Sequence, residues 1–182
     1  MSLVNEAQSV LRAADCLHDE SAVQAAYDRL AGDITSEYRD KNPLLLCVMI
    51  GGLIPSAEIT KRLVFAFDMD YLHATRYRGA TQGGGLVWKR QPDKPLEGRH
   101  VLVIDDILDE GHTLVAIRKS LLEFKPASLK VAVLAEKLHD RRAAGAHAEF
   151  TGLQVEDRYV FGCGMDYKEY WRQLPAIYAV KS

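Results

Sequence analysis

The sequence is poor in cysteine. Cys16, Cys47 and Cys163 are three in number, which is odd, and none stands in CxxC spacing. That excludes a disulfide framework and a cysteine-rich zinc site, and it fits a reducing, cytoplasmic setting. No apolar run approaches the ~18 residues of a membrane span. The opening MSLVNEAQ has neither a basic stretch nor an apolar signal core. Charge of one sign is scarce too. A formal net charge of −2, with no basic run beyond Arg141-Arg142, argues against nucleic acid and an anionic membrane as partners. Internal repeats and low-complexity linkers are also missing. What remains is 182 residues, 48% hydrophobic and 26% charged, enough for one soluble domain with a sizeable core.

The pattern that is present reads as α/β. Val4, Ala7, Val10, Leu11, Ala14 and Leu17 recur at helical spacing. A second helix follows, with Ser21 and Gln24 as a capping box and Val23, Tyr27, Leu30, Ile34 and Tyr38 on one face, until Asn42-Pro43 stops it. LLLCVMI, residues 44–50, reads as a buried strand closed by Gly51-Gly52, and Pro55 can open a helix through Val64. Residues 71–77 read as a strand, and 86–89 as its return. Between them RGATQGGG, residues 78–85, is a Gly-rich polar loop of the kind that forms flexible lids. Residues 101–104 (strand), 113–124 (helix) and 129–136 (strand) make a βαβ unit. The chain is therefore expected to build a doubly wound, mostly parallel sheet flanked by helices. Ligands of such sheets bind beyond the carboxyl ends of the strands. That rule puts Gly51-Gly52, residues 105–113 and Lys137 on one rim.

VLVIDDILDEGHT, residues 101–113, is the most informative stretch. Four acids, Asp105, Asp106, Asp109 and Glu110, fall within six positions at the end of an apolar strand. Like charges that close repel by about 1 kcal/mol per pair even in water. Asp105-Asp106 can serve a divalent cation or hydroxyl groups, or can be a solvated turn. Glu110, Gly111, His112 and Thr113 lead into a helix N-terminus, whose N–H groups and dipole favour phosphate, although a plain capped helix start explains them equally. A sugar carrying a phosphate and vicinal hydroxyls would use both halves.

The same stretch resembles the phosphoribosyl-pyrophosphate motif of type I phosphoribosyltransferases. VAVLAEK, ending at Lys137, and DRYVFGCGMDYKEYWRQLP, residues 157–175, are similar to the C-terminal half of the hypoxanthine-guanine phosphoribosyltransferases. The resemblance covers about residues 44–175. It implies the type I phosphoribosyltransferase fold in a single domain, residues 1–182, with helices of residues 1–41 and the C-terminal segment forming a small hood over the core and residues 78–85 as the lid. The implied activity is purine salvage: phosphoribosyl transfer from phosphoribosyl pyrophosphate to N9 of hypoxanthine or guanine, with Mg2+, in a homodimer or homotetramer.

Site roles follow from the resemblance residue by residue. Asp109 would be the general acid/base at purine N7; it is also placed to cap the helix. Asp105 and Asp106 would hold the ribose hydroxyls. The backbone of Asp105, Asp106, Ile107, Leu108, Asp109, Glu110, Gly111, His112 and Thr113 would wrap the ribose phosphate. Gly51, Gly52, Arg76, Tyr77 and Arg172 would meet pyrophosphate, through a turn whose peptide is often cis in the family. Lys137 would donate to the purine 6-oxo group, Tyr159 would stack, Val160 would offer its carbonyl, and Arg158 and Asp166 would lie alongside. Asp105, Asp106 and Asp166 would serve Mg2+. Ile50 stands where many relatives carry Lys, and Arg76 is a candidate replacement for that cation. Two other readings compete: a regulator that keeps the fold but binds nucleotide or nucleic acid without turnover, and a receiver-like phosphoryl-transfer domain, which would leave residues 157–172 unexplained.

Overall fold

The computed structural model describes residues 2–76 and 86–181. Tyr77 and the loop 78–85 therefore lie outside the described residues. In chain order the elements are α1 (Leu3–Ala13), β1 (Asp15–His18), α2 (Glu20–Tyr38), β2 (Leu44–Val48), α3 (Leu53–Thr60), β3 (Asp68–Arg76), β4 (Leu86–Arg90), β5 (His100–Leu108), α4 (His112–Leu122), β6 (Ser128–Lys137), β7 (Phe150–Val155), β8 (Val160–Phe161) and β9 (Ile177–Ala179). Six strands form the main sheet in the order β4-β3-β2-β5-β6-β7. All its pairings are parallel except β3 with β4, which form an antiparallel edge hairpin.

Strand alternation sends the core residues to two faces. On one, Leu45, Leu102, Ile104, Ala132 and Leu134 pack with Val23, Tyr27, Leu30 and Ile34 of α2. On the other, Leu44, Leu46, Val101, Val103, Val131 and Val133 pack with Leu114, Ile117 and Leu121 of α4. Every residue of β2 is buried, as expected of a strand covered on both sides. This is the doubly wound sheet that the apolar runs and the βαβ spacing imply.

A second sheet, β1-β9-β8, is not hydrogen-bonded to the first, but its Val160, Ile177 and Ala179 join the core cluster under α2. It corrects the reading of residues 4–17 as one helix. Ala14 turns extended at the end of α1, and Asp15 and Cys16 pair with Ala179 and Tyr178. A partner some 160 positions away in sequence decides this segment, and helical spacing cannot anticipate it. Three smaller corrections belong here. The cap of α2 is Asp19, whose carboxylate accepts the Ala22 N–H at 2.8 Å, not Ser21. Helix α3 stops at Thr60 rather than Val64. Strand β5 runs on to Leu108, so Asp105 and Asp106 sit inside a strand and not beyond its end. Register explains that extension: Asp105, Ile107 and Leu108 continue the pairing with Val133, Ala135 and Glu136 of β6. Cys16, Cys47 and Cys163 are free thiols.

Leu102 is fully buried at the centre of β5. Its truncation in Leu102→Ala is expected to lower unfolding stability by about 3 kcal/mol, as deletion of a buried leucine side chain does. A urea melt checks this, and a loss below about 1 kcal/mol would contradict the packing described.

Candidate active site

The parallel register assembles the site at the carboxyl rim. Cys47 of β2 lies beside Ile104 of β5, so the turn that follows β2 falls beside Asp105 and Asp106. Leu108 lies beside Glu136, so Asp109 and Lys137, each one residue further on, emerge as neighbours. Sequence-distant groups thus meet because the parallel register sets the end of β2 beside Asp105 and the end of β6 beside that of β5.

The turn after β2 is tight. Gly52 N–H donates to the Val48 carbonyl at 2.8 Å and Leu53 N–H to the Ile50 carbonyl at 3.1 Å. Its cis peptide is Met49-Ile50, one bond before the Ile50-Gly51 bond at the glycine pair. Gly51 packs directly on Asp106, so that a Cβ at Gly51 would collide with that carboxylate. Side-chain absence is what allows this close approach.

Asp105 and Asp106 are joined by a carboxylate-to-backbone bond: Asp106 N–H donates to Asp105 Oδ1 at 2.9 Å. Ile107 N–H donates to Asp106 Oδ1 at 2.7 Å. Burial raises the proton affinity of both, and the neighbouring Asp106 charge pushes Asp105 well above the ordinary carboxylate range. The Arg172 guanidinium acts against the shift at both residues. Arg172 is itself held, by Asp166 Oδ1 at 2.7 Å and by the Gly164 carbonyl at 2.8 Å. Asp166 Oδ2 accepts the Glu169 N–H at 2.7 Å and closes the loop between them. Lys168, Glu169 and Trp171 of that loop all have positive φ. Helix α1 braces it: Trp171 Nε1 donates to the Ala7 carbonyl at 2.8 Å, and Tyr167 and Lys168 both reach the Glu6 carboxylate.

Asp109 does not cap α4. The cap is Gly111, at φ 77°, with no side-chain hydrogen bond. A Cβ at Gly111 would also strike Leu108 and Ala146, so both conformation and space call for glycine there. The first bond into the helix runs from Val115 N–H to the Gly111 carbonyl. Among the described residues, the N–H groups of His112, Thr113 and Leu114 have no partner, which suits an anion. The Asp109 carboxylate instead accepts from Lys137 Nζ at 2.6 Å and His139 Nε2 at 2.8 Å. Burial would raise its pKa, but these two bonds outweigh burial and hold it below the ordinary value. His139 was not foreseen from the sequence. Its signal is a histidine two positions after the strand-ending lysine, in KLHD. Glu110 faces His112 at 3.6 Å and Arg141 at 3.8 Å.

The remaining candidates divide. Tyr159 is half exposed and meets Tyr167 edge to face at 5.4 Å. Val180 N–H donates to the Tyr159 carbonyl, and the alternation of an antiparallel ladder then leaves the Val160 carbonyl on the open edge of β8. Arg158 is committed elsewhere: it pairs with Asp15 at 2.5 Å and donates to the Val180 carbonyl at 2.9 Å. Its guanidinium ties β1 to Val180, next to β9. Arg76 closes β3, and its side chain lies outside what is described.

The described residues hold no group of three or more His, Cys, Asp or Glu arranged around one metal position. Two adjacent carboxylates do fit Mg2+, which keeps most of its shell for water and substrate phosphate.

A doubly wound sheet with paired acids, an open helix N-terminus and a Lys-Asp couple on one rim defines a phosphate-handling α/β protein. Residues 13–169 match the phosphoribosyl transferase domain family, and the chain belongs to that family. It is 35% identical over 165 residues to the hypoxanthine-guanine-xanthine phosphoribosyltransferase of Tritrichomonas foetus, covering 91% of this chain and 90% of that one. It is 34% identical over 166 residues to the hypoxanthine-guanine phosphoribosyltransferase of Bacillus subtilis, covering 91% and 92%. Among solved structures it is similar to a hypoxanthine phosphoribosyltransferase from Staphylococcus aureus, with TM-score 0.86, 29% identity and coverage of 92% and 91%.

The acid pair carries a stability cost with a definite sign. A carboxylate whose folded pKa is raised binds extra protons in the folded state, so stability falls as pH rises through the raised range. Asp105→Asn keeps the acceptor for Asp106 N–H and removes one charge. At pH 7, with chelator and no substrate, it is expected to raise Tm by roughly 2–4 °C per kcal/mol relieved, with the gain shrinking toward pH 4. A lower Tm at neutral pH would contradict a like-charge penalty at this position.

Proposed function

We propose that this protein is a purine-salvage enzyme that transfers the phosphoribosyl group from phosphoribosyl pyrophosphate to N9 of hypoxanthine or guanine. The observation that carries the reading is the Asp109–Lys137 contact, 2.6 Å across, on the rim next to Asp105-Asp106 in a chain of this family. An ammonium only donates hydrogen bonds, so Lys137 donates to a 6-oxo group and disfavours a 6-amino group. Asp109 lies one residue beyond β5, within reach of a base bound at Lys137.

In the reaction the N9–C1′ bond forms as the bond from C1′ to pyrophosphate breaks, and the proton on purine N7 passes to the Asp109 carboxylate. Asp105 and Asp106 accept hydrogen bonds from the ribose 2′- and 3′-hydroxyls. The N–H groups at the start of α4, with the Thr113 hydroxyl, hold the 5′-phosphate. Arg172 and the Gly51-Gly52 turn hold pyrophosphate, and Tyr159 stacks on the purine with the Val160 carbonyl at its edge. Asp105, Asp106 or Asp166 would hold Mg2+, which would supply neutralisation of leaving-group charge. Arg76 and Tyr77 remain candidates for pyrophosphate, and residues 78–85 for the lid. Exposed Ile50, Leu53, Met69 and Tyr71 on and beside α3 and β3 favour a homodimer or homotetramer. No helix of the described residues is long and apolar enough to cross a membrane, and we place the enzyme in the cytoplasm.

Incubation with Mg2+, phosphoribosyl pyrophosphate and each of hypoxanthine, guanine, xanthine and adenine tests the proposal. IMP or GMP is the expected product, with adenine the poorest substrate; no turnover with any 6-oxopurine would overturn it. Asp109→Asn is expected to lower kcat by roughly 10²-fold or more, and a near-normal kcat would remove Asp109 from proton transfer. Lys137→Met is expected to raise KM for the base far more than KM for phosphoribosyl pyrophosphate, and equal changes in both would count against base recognition by Lys137.

A further inference from the structure

The Asp109 carboxylate is held twice, and one of its holders has a second task. If Lys137 serves the base, its ammonium turns at least one of its three donors toward the 6-oxo oxygen, and its hold on Asp109 Oδ2 weakens as the base arrives. A half-exposed carboxylate that lost that partner with nothing in its place would be free to change rotamer. His139 is the second holder, and it is built in a way that Lys137 is not. Its side chain is only 2% exposed. The Arg141 backbone N–H donates to its Nδ1 at 3.1 Å. A ring nitrogen that accepts an N–H carries no proton, so the proton of the neutral ring sits on Nε2 and is donated to Asp109 Oδ1 at 2.8 Å.

The loop that carries His139 is itself anchored at two points. Arg141 makes a two-pronged pair with the Asp157 carboxylate, at 2.6 and 2.9 Å. Arg142 donates to the Lys137 carbonyl at 2.8 Å and pairs with the Glu136 carboxylate. Fork-shaped guanidinium contacts of this kind fix orientation as well as distance. They hold the Arg141 N–H that sets the tautomer of His139.

We infer that His139 is a positioning residue that keeps the Asp109 carboxylate aimed at the base while Lys137 is engaged by the 6-oxo group. The inference rests on the roles given above to Asp109 and Lys137. A neutral donor suits this task. It fixes the direction of the carboxylate while opposing its protonation less than an ammonium does, so Asp109 becomes a better proton acceptor when the base draws Lys137 away. Base capture and activation of the acceptor are then one event.

Two amide substitutions separate positioning from mere filling of space. In His139→Gln the side-chain amide reaches the place of Nε2 and can donate to Asp109. In His139→Asn it reaches only the place of Nδ1, so it can keep the Arg141 contact but not the Asp109 contact. With Mg2+, phosphoribosyl pyrophosphate and hypoxanthine, His139→Asn is expected to lower kcat about tenfold or more, as a misplaced catalytic group does. Both KM values should stay within about threefold, and His139→Gln should recover kcat to within about threefold of the wild type. Thermal melts of both variants accompany the kinetics. Wild-type kcat in His139→Asn would overturn the inference. Equal loss in the two variants, or a loss confined to KM for the base, would overturn it as well. Absence of turnover in the wild-type enzyme is a different result, which overturns the function and not the role of His139 alone.

Discussion

The rest of the site depends on two carboxylates placed side by side in β5 and largely withdrawn from water. Asp105 and Asp106 cannot both ionise there without cost, because burial and mutual repulsion disfavour the second charge. The surrounding structure is arranged around that cost. Gly51 lets the turn after β2 close onto Asp106, main-chain N–H groups of Asp106 and Ile107 donate into the pair, and Arg172 contributes a countercharge that the pair feels. None of this cancels the penalty. The arrangement suits a ligand that brings its own cation and its own hydroxyl donors, and a sugar pyrophosphate with Mg2+ brings both.

The other charges of the rim are stored in pairs. Asp109 rests on Lys137 and His139, and Arg172 rests on Asp166. On the roles proposed above, each pair holds two groups that the reaction would need separately, one toward the base or pyrophosphate and one toward a proton or metal. Binding would then exchange internal contacts for contacts with substrate. The scaffold keeps the exchange local: the parallel register gathers the ends of β2, β5 and β6 on one rim, and α1 braces the loop of Asp166 and Arg172 from outside the sheet. Preorganised charge of this sort, in a partly desolvated rim, is where transition-state stabilisation is largest.

Much of this was legible in the sequence, for identifiable reasons. The runs at residues 44–50, 101–104 and 129–136 are continuous and β-rich, which marks parallel strands, and the rim rule then gathers their ends. Asp105, Asp106, Asp109 and Lys137 stand out as candidates because they follow the apolar parts of those runs. The second sheet was not legible: β1 and β9 are short and find each other across most of the chain, and the pattern of residues 4–17 continues helical past the point where pairing takes over. The end of β5 was misplaced because charged residues look like strand terminators, whereas the ladder with β6 carries Asp105 and Asp106 inside it. His139 and the engagement of Arg158 with Asp15 escaped for a similar reason. Both are defined by contacts between segments distant in sequence, which no local spacing encodes.

On the proposed function the acid pair belongs to a polyanion site that a metal and a sugar complete. Calorimetric titration of phosphoribosyl pyrophosphate into the wild-type protein, once with Mg2+ and once with chelator, tests it most directly. Binding is expected with Mg2+ and is expected to weaken at least about tenfold, or 1.4 kcal/mol, with chelator. Equal affinity in the two titrations would contradict the account, because the carboxylates would then be binding a polyanion without the cation that their burial requires.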